Sequence, residues 1–374
     1  MVDTAFYTQR PTNMLDTKMI HAPELPANLR WLNGPALSLQ QLRQQGKVVL
    51  LDFWDYTCVN CVRTLPYVVE WAHKYQNRGL VVIGVHAPEF SFAREMHQIE
   101  KACADFDITY PVVLDNDYAI WQAYDNKGWP SKFLIDTDGY VRYTHLGEGE
   151  YLATEMALQF ALREANPQFK PVPFTNPKRG EDSPGARCYR PSPEIYLGYE
   201  RSDVSNPEGV EKGVVMLYPG KPETPKAIPP TPDTPKQVYL QGAWRSQDEY
   251  VELAGTHGRI TFRYKAKDVN MVLSPTGDVV ELMLQGQGGI VLGANKVEHP
   301  RFYLLQDNEP LQPLNAGADV AFSAAGQAIV MTDRPRMYRL ISNPDFEEHE
   351  LTLVVSGKGF AAYSAAFTTC VTPV

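Results

Sequence analysis

A chain of 374 residues is too long for one small domain and predicts two, and 44% apolar residues suffice for packed cores. The net charge of −9, with no basic stretch, argues against nucleic-acid binding. No apolar run approaches the roughly 18 residues of a transmembrane helix, and five cysteines in this length do not make a disulfide scaffold.

The chain opens with a polar, irregular extension, residues 1–24, which lacks a basic region followed by an apolar core. No signal peptide is therefore predicted, and a cytoplasmic location follows if Met1 is the native start. Ser38 predicts the N-cap of a short helix over residues 39–45, which Gly46 ends.

Two cysteines follow the first strong strand signal. The apolar run from Val48 to Phe53 predicts a buried strand, and apolar residues at three- and four-residue spacings after Cys61 predict a helix. Cys58 then lies at the helix N-terminus, where free N–H groups and the helix dipole favour a thiolate. We expect Cys58 to be the nucleophile and Cys61, one turn later, to resolve the mixed disulfide.

A C-x-x-C pair alone also looks like half of a zinc site. Cys103, Cys188 and Cys370 stand far apart and form no second C-x-x-C, so we predict no metal. Cys103 falls in a helical pattern and is expected in the core. Whether Cys188 and Cys370 pair stays open, because sequence does not establish proximity.

The rest of the first half alternates strand and helix patterns. A second apolar run, 80–85, predicts a buried strand parallel to the first. The later elements are expected to be a helix at 91–106, an extended segment at 110–114, a short helix at 117–124, strands at 132–136 and 140–145 joined by an Asp138-Gly139 turn, and a helix at 151–165.

The cysteine stretch resembles the thioredoxin superfamily. Asp52-Phe53-Trp54 resembles its strand signature, Pro66 stands where thioredoxins carry a helix proline, and residues 55–61 are similar to the TlpA-like proteins of the DipZ type. The resemblance implies a thioredoxin fold, an α/β central mixed sheet flanked by helices, over residues 25–165. It also implies an extracytoplasmic protein, so both locations stay open.

Two acids are candidates for moving protons. Asp52 is expected to be buried in the central strand, where a raised pKa suits it to exchange a proton with Cys61. Glu89 follows the second strand, and the resemblance places an acid of TlpA-like proteins near this position. The alternatives are a salt-bridged structural Asp52 and a Glu89 that only stabilises a helix N-terminus. His86 is expected to pack or hydrogen-bond rather than catalyse.

Four further residues are candidates for contact with the substrate. Trp129-Pro130 resembles the cis-proline loop that faces the cysteines in thioredoxin folds. Its backbone would pair with an extended substrate, and the bulky Trp129 favours a selective partner. Trp54 and Tyr56 are expected to rim the same site, with core packing as the alternative.

The second half changes character. Residues 166–190 are proline-rich and predict a linker or surface strap, and residues 191–374 predict an all-β, jelly-roll-like sandwich. Residues 192–198 and 362–367 resemble the C-terminal module of DipZ-type proteins, which is similar to carbohydrate-binding modules. A carbohydrate partner is therefore a further expectation, with Trp244, Tyr250, Tyr264 and Tyr303 as aromatic candidates. The expected strands are 250–253, 259–266, 270–273, 279–284, 301–305, 328–331, 350–355 and 362–367.

These features predict a thiol:disulfide oxidoreductase in which the β-sandwich positions or selects the substrate. Its partners would be protein disulfides and dithiols, including an unidentified electron donor, and its redox group the Cys58–Cys61 disulfide, without a separate cofactor. Alternatives are a redox-weak carbohydrate-binding or scaffold protein and, less favoured, a thiol peroxidase. The peroxidase pattern P-x-x-x-T-x-x-C would need Pro and Thr where Leu51 and Asp55 stand.

Overall fold

The computed structural model describes Met14 and residues 20–221, 236–276 and 301–371. The chain divides into two compact units, Met1–Asp182 and Ser183–Val374. The strand expected at 279–284 and most of the proline-rich segment 219–235 lie outside the described residues. Within the described ranges, no helix combines the length and the apolar character needed to cross a membrane.

The first unit is a mixed sheet flanked by helices. Its sheet order is β1-β4-β3-β2-β5-β6, in which β2, β3 and β4 run parallel and the other neighbours pair antiparallel. This arrangement confirms the predicted thioredoxin fold. The elements are β1 (Arg30–Leu32), α1 (Leu39–Gln44), β2 (Val48–Trp54), α2 (Val59–Tyr75), β3 (Leu80–His86), α3 (Met96–Asp105), β4 (Val112–Leu114), α4 (Ala119–Ala123), β5 (Ser131–Ile135), β6 (Val141–Leu146) and α5 (Tyr151–Ala165).

Strand β2 is apolar except at Asp52, because both of its faces are covered. Val48, Leu50 and Trp54 belong to the core that includes residues of α2 and α5, whereas the alternate residues Val49 and Leu51 belong to the core on the opposite face. By the same alternation, Asp52 lies on the face that α2 covers. The strand therefore places one carboxyl group inside an apolar layer beneath the helix that carries the cysteines.

The proline-rich segment after α5 is partly integral to the first unit. The buried side chain of Gln159 donates to the Val172 carbonyl at 2.8 Å, and Glu155, 1% exposed, accepts the Thr175 N–H at 2.7 Å. These contacts satisfy polar groups of α5 that would otherwise be buried without partners. Residues 166–182 thus form a strap on the first unit, and the second unit begins at Ser183.

The end of this strap is fastened to α2. The Tyr67 hydroxyl accepts the Lys178 N–H and donates to Asp182, both at 2.7 Å. Arg179 donates to the Arg63 carbonyl at 2.9 Å and forms an ion pair with Asp182 at 2.7 Å. The strap therefore contacts the helix whose first turn holds the cysteines.

The second unit is an antiparallel all-β structure in which one sheet folds over itself. The long strand β11 coils so that Glu252 near its start and Ser274 near its end both pair with Ala361 of β17. Such coiling brings two layers face to face around a single core, as predicted for a sandwich. The strands are β7 (Arg187–Cys188), β8 (Ile195–Tyr196), β9 (Val215–Pro219), β10 (Val238–Ser246), β11 (Val251–Pro275), β12 (Arg301–Gln306), β13 (Glu309–Pro310), β14 (Ala321–Phe322), β15 (Ala328–Met331), β16 (Arg336–Ser356), β17 (Phe360–Thr368) and β18 (Cys370–Val371).

Three strands expected at 250–253, 259–266 and 270–273 are one strand, β11. The polar breaks between them are accommodated by register shifts, such as that between Ala266 and Asp268, rather than by turns. Cys188 and Cys370 are joined by a disulfide that links β7 to β18, which answers the open question about their pairing.

The strap yields a test of local stability. Tyr67→Phe removes the hydroxyl that contacts Lys178 and Asp182 and leaves the Lys178 N–H without its acceptor, a loss of roughly 0.5–1.5 kcal/mol for a typical hydrogen bond. Because the loss is local, we expect faster tryptic cleavage after Lys178 and Arg179. In Tyr143→Phe, whose hydroxyl bonds Thr154 instead, cleavage there should stay at the wild-type rate. Equal cleavage in all three proteins would contradict the role of the strap contacts.

Candidate active site

The site lies where the carboxyl ends of two parallel strands meet. Trp54 of β2 pairs in register with His86 of β3, and the Trp54 carbonyl accepts the Ala87 N–H at 3.1 Å. The loop after β2 leads to Cys58 and to Cys61 in the first turn of α2, and the loop after β3 carries Glu89. Open α/β sheets commonly place their sites at this edge.

Cys58 and Cys61 are free thiols held in one turn at the start of α2. Cys58 is the N-cap residue, and its Sγ accepts the Cys61 N–H at 3.3 Å. That N–H and the helix N-terminus both favour negative charge on this sulfur. Cys58 is partly exposed, so a partner disulfide can reach it.

Cys61 differs sharply from Cys58. Its side chain is 1% exposed, and burial, together with the neighbouring Cys58, raises the pKa of the Cys61 thiol. The two sulfurs therefore lie in different surroundings, Cys58 partly exposed at the N-cap and Cys61 buried. The assignment of Cys58 as nucleophile and Cys61 as resolving thiol stays a prediction.

Asp52 and Lys132 form a buried pair beneath the cysteines. They pair in register across the neighbouring strands β2 and β5. Lys132 Nζ lies 3.9 Å from Asp52 Oδ1, and both side chains are buried. Burial raises the pKa of Asp52 to about 6, against the opposing effect of Lys132. Burial lowers the pKa of Lys132, while Asp52 and Cys61 both act to raise it.

Within the described residues, neither Asp52 oxygen nor Lys132 Nζ has a hydrogen-bond partner. A buried ion pair without such partners is a costly arrangement, which is common where proton transfer is required. Lys132 was not identified from the sequence, although a lysine inside the apolar run Lys132–Ile135 was a visible signal.

Asp55 is a second buried carboxyl group that the sequence analysis passed over. It is 0% exposed, and it accepts the Thr57 N–H at 2.9 Å and the Glu89 N–H at 2.5 Å. Burial raises its pKa to about 7, although both hydrogen bonds oppose that shift. Glu89, the acid predicted from the sequence, is partly buried. It lies in the loop whose backbone N–H is bound by the Asp55 carboxylate.

His86 is entirely buried and packs as expected. Its ring stacks on the Tyr56 ring, with 5.7 Å between the ring centroids. It meets the Trp54 ring edge-on, with a centroid distance of 5.0 Å. Burial lowers the pKa of His86 to about 3, so the ring is neutral near pH 7.

The Trp129–Pro130 peptide bond is cis, as predicted. Ser131 pairs with Phe53, which places this loop at the same end of the sheet as Cys58. The Trp129 ring is partly buried and lies 4.5 Å from that of Trp121. The expected contacts of Trp129 and Pro130 with a substrate stay predictions.

Trp54 and Tyr56 line the site from within. They are 0% and 4% exposed, respectively, so both belong to the core in this structure. Packing, the alternative expected for them, describes their contacts here, and a role in substrate contact stays a prediction.

In the second unit, Trp244 and Tyr264 are also buried, while Tyr250 and Tyr303 are partly accessible.

The fold and the capped dithiol define a thioredoxin-like protein, and comparisons with known proteins agree. Residues 22–156 match the Redoxin family model, and residues 192–368 match the model described as thioredoxin like C-terminal domain. Thiol-disulfide oxidoreductase YkuV of Bacillus subtilis is 33% identical over 142 residues, 38% of this chain and 94% of YkuV.

Protein DipZ of Mycobacterium tuberculosis is 36% identical over 262 residues, 68% of this chain. That match spans 35% of DipZ, about a third of its length. A solution structure of a thioredoxin-like protein in the oxidized form is 30% identical to this chain. The match covers 97% of that structure and 39% of this chain, with a TM-score of 0.35. The chain belongs to the thioredoxin-like thiol-disulfide oxidoreductases, and over residues in both of its units it is similar to DipZ.

The raised pKa of Asp52 predicts a stability that depends on pH. The folded protein binds this proton more tightly than the unfolded chain, so the stability associated with the group is greatest below its ordinary pKa and falls as the pH rises through about 6. Asp52→Asn combined with Lys132→Met removes both charges and avoids leaving one unpaired.

At each pH, the unfolding free energy of the double variant is compared with that of the wild type. As the pH rises from about 4 to about 7, we expect this difference to shift in favour of the variant by roughly 2–3 kcal/mol, because the wild type loses the stability associated with protonated Asp52. Urea unfolding at the two pH values measures the shift. A difference between the proteins that does not change with pH would contradict the buried-pair interpretation.

Proposed function

We propose that the protein exchanges disulfides with partner proteins through the Cys58–Cys61 dithiol. The observation that carries the proposal is the asymmetry of the pair: a partly exposed sulfur at a helix N-cap beside a buried thiol. The redox group is the cysteine pair itself, and the partners are a protein disulfide and a dithiol electron donor. The names of the relatives support the reaction class.

In the first step, the Cys58 thiolate attacks one sulfur of the partner disulfide. A bond forms between Cys58 and that sulfur, the partner disulfide breaks, and the other partner sulfur leaves as a thiolate that takes up a proton. The N–H of Cys61 stabilises the attacking charge before the reaction. Partial exposure of Cys58 allows access without moving the helix.

In the second step, Cys61 must lose its proton before it attacks the mixed disulfide. The Cys61–Cys58 bond then forms, the bond from Cys58 to the partner breaks, and the partner leaves with two thiols. Asp52, with a pKa raised to about 6, and Glu89 are the proposed proton acceptors. A donor dithiol returns the Cys58–Cys61 disulfide to the thiols by the reverse sequence.

Single cysteine variants test the order of these steps. Iodoacetamide should label Cys58 first in the reduced protein, Cys58→Ser should abolish exchange, and Cys61→Ser should accumulate a mixed disulfide with the partner. Cys103→Ser is the matched control, because Cys103 is a buried core thiol, and it should exchange normally. Equal labelling of Cys58 and Cys61, or exchange by Cys58→Ser, would contradict the assignment.

We propose further that the antiparallel unit positions or selects the protein substrate. The full chain should then reduce the partner trapped by Cys61→Ser several-fold faster than residues 1–182, while both reduce a small disulfide at equal rates. Equal rates on the protein partner would refute this role.

A carbohydrate partner would use Tyr250 and Tyr303, the candidate aromatics that are not fully buried. A glycan array with the full chain and with Tyr303→Ala tests it. Tight sugar binding together with equal exchange rates would instead make this unit an independent anchor.

A further inference from the structure

Asp55 is a buried acid that the exchange mechanism above does not use, yet it contacts Thr57, Cys58 and Cys61 of the dithiol turn. Its carbonyl accepts the Cys58 N–H at 3.2 Å, its carboxylate accepts the Thr57 N–H, and its backbone hydrogen-bonds the Cys61 sulfur. One residue therefore fixes the backbone that leads into Cys58 and also contacts the second sulfur.

The same carboxylate reaches the neighbouring loop. Oδ1 binds the Thr57 N–H of the β2–α2 loop, and Oδ2 binds the Glu89 N–H of the β3–α3 loop. Two loops that are 34 residues apart in sequence thus share one carboxylate. Any change in its charge acts on both loops at once.

The groups around Asp55 do not neutralise it. His86 Nε2 lies 3.8 Å from Oδ1, but this ring is neutral near pH 7 because burial lowers its pKa to about 3. Glu89 adds negative charge, and Cys61 becomes negative when it reacts. Lys132, the buried cation of this face, is paired with Asp52.

We propose that Asp55 is a positioning residue of the dithiol site: it fixes the Cys58–Cys61 turn against the Glu89 loop, and its negative charge opposes release of the Cys61 proton. This inference rests on the exchange function proposed above.

The two charge states of Asp55 have different consequences. When ionised, it accepts both N–H groups strongly and raises the energy of a Cys61 thiolate. When protonated, it accepts them weakly and the opposing charge is gone. Because burial raises its pKa to about 7, both states are populated near neutral pH, and the second exchange step follows their ratio.

The test separates the two steps of exchange. Reduced full-length protein is mixed rapidly with a dipyridyl disulfide, which releases one coloured thiopyridone when Cys58 attacks and a second when Cys61 attacks. The variants are Asp55→Asn and Asp55→Ser. A serine hydroxyl at this position can still accept the Thr57 N–H, so Asp55→Ser serves as the second variant in case Asp55→Asn does not fold.

The matched control is Asp115→Asn. Asp115 is also 0% exposed and also accepts two backbone N–H groups, from Ile120 at 3.0 Å and Trp121 at 2.8 Å, but these belong to the start of α4. It reproduces the loss of a buried, loop-fixing carboxylate elsewhere on the same sheet edge.

In the wild type and in Asp115→Asn, the rate of the second release should change slope near pH 7. In the Asp55 variants this inflection should vanish, and the second release should be roughly tenfold faster at about pH 8, because the opposing charge is gone. An inflection retained in Asp55→Asn and Asp55→Ser, or equal slowing of both releases in these variants and in Asp115→Asn, would overturn the inference. Failure of the wild type to release two equivalents would instead refute the exchange function itself.

Discussion

The hydrogen bond from the Cys61 N–H to Cys58 Sγ is the interaction on which the site depends. It makes Cys58 the N-cap of α2, so the start of the helix is stabilised when that sulfur is turned towards the free N–H groups. The same turn carries Cys61 into the core, where burial holds its proton. One turn of helix thereby gives two chemically similar thiols different surroundings, on which the proposed exchange function rests.

The surrounding fold adds buried acids to this turn. Strand β2 alternates between two covered faces, and the face beneath α2 receives Asp52, which Lys132 meets across the sheet. Asp55, just beyond the strand, is enclosed instead by backbone N–H groups from two loops. The two carboxyl groups are thus stabilised differently, one by a cation and the other by amide dipoles, which makes their protonation separately adjustable.

The strap after α5 shows how tertiary contacts modify an element that looks polar in sequence. On α5, Glu155 and Gln159 are buried, whereas Leu152 is half exposed. The polarity of these side chains alone would predict the reverse, with Glu155 and Gln159 exposed and Leu152 buried. The strap reverses the expectation because its backbone N–H and C=O groups pair with the two polar side chains and shield them from water.

The sequence by itself determined the order of strands and helices in the first unit, the helix start at Cys58 and the all-β character of the second unit, while the thioredoxin fold was implied by the resemblance of residues 52–66 to that superfamily. Apolar periodicity and capping residues act over a few neighbouring positions, so they are legible without coordinates. Only the tertiary structure decided that Lys132 faces Asp52, that Asp55 joins two loops, that β11 is one coiled strand and that Cys188 meets Cys370. Each of these depends on strand register or on the path of a distant loop, and such contacts between residues far apart in sequence leave no periodic signal in it.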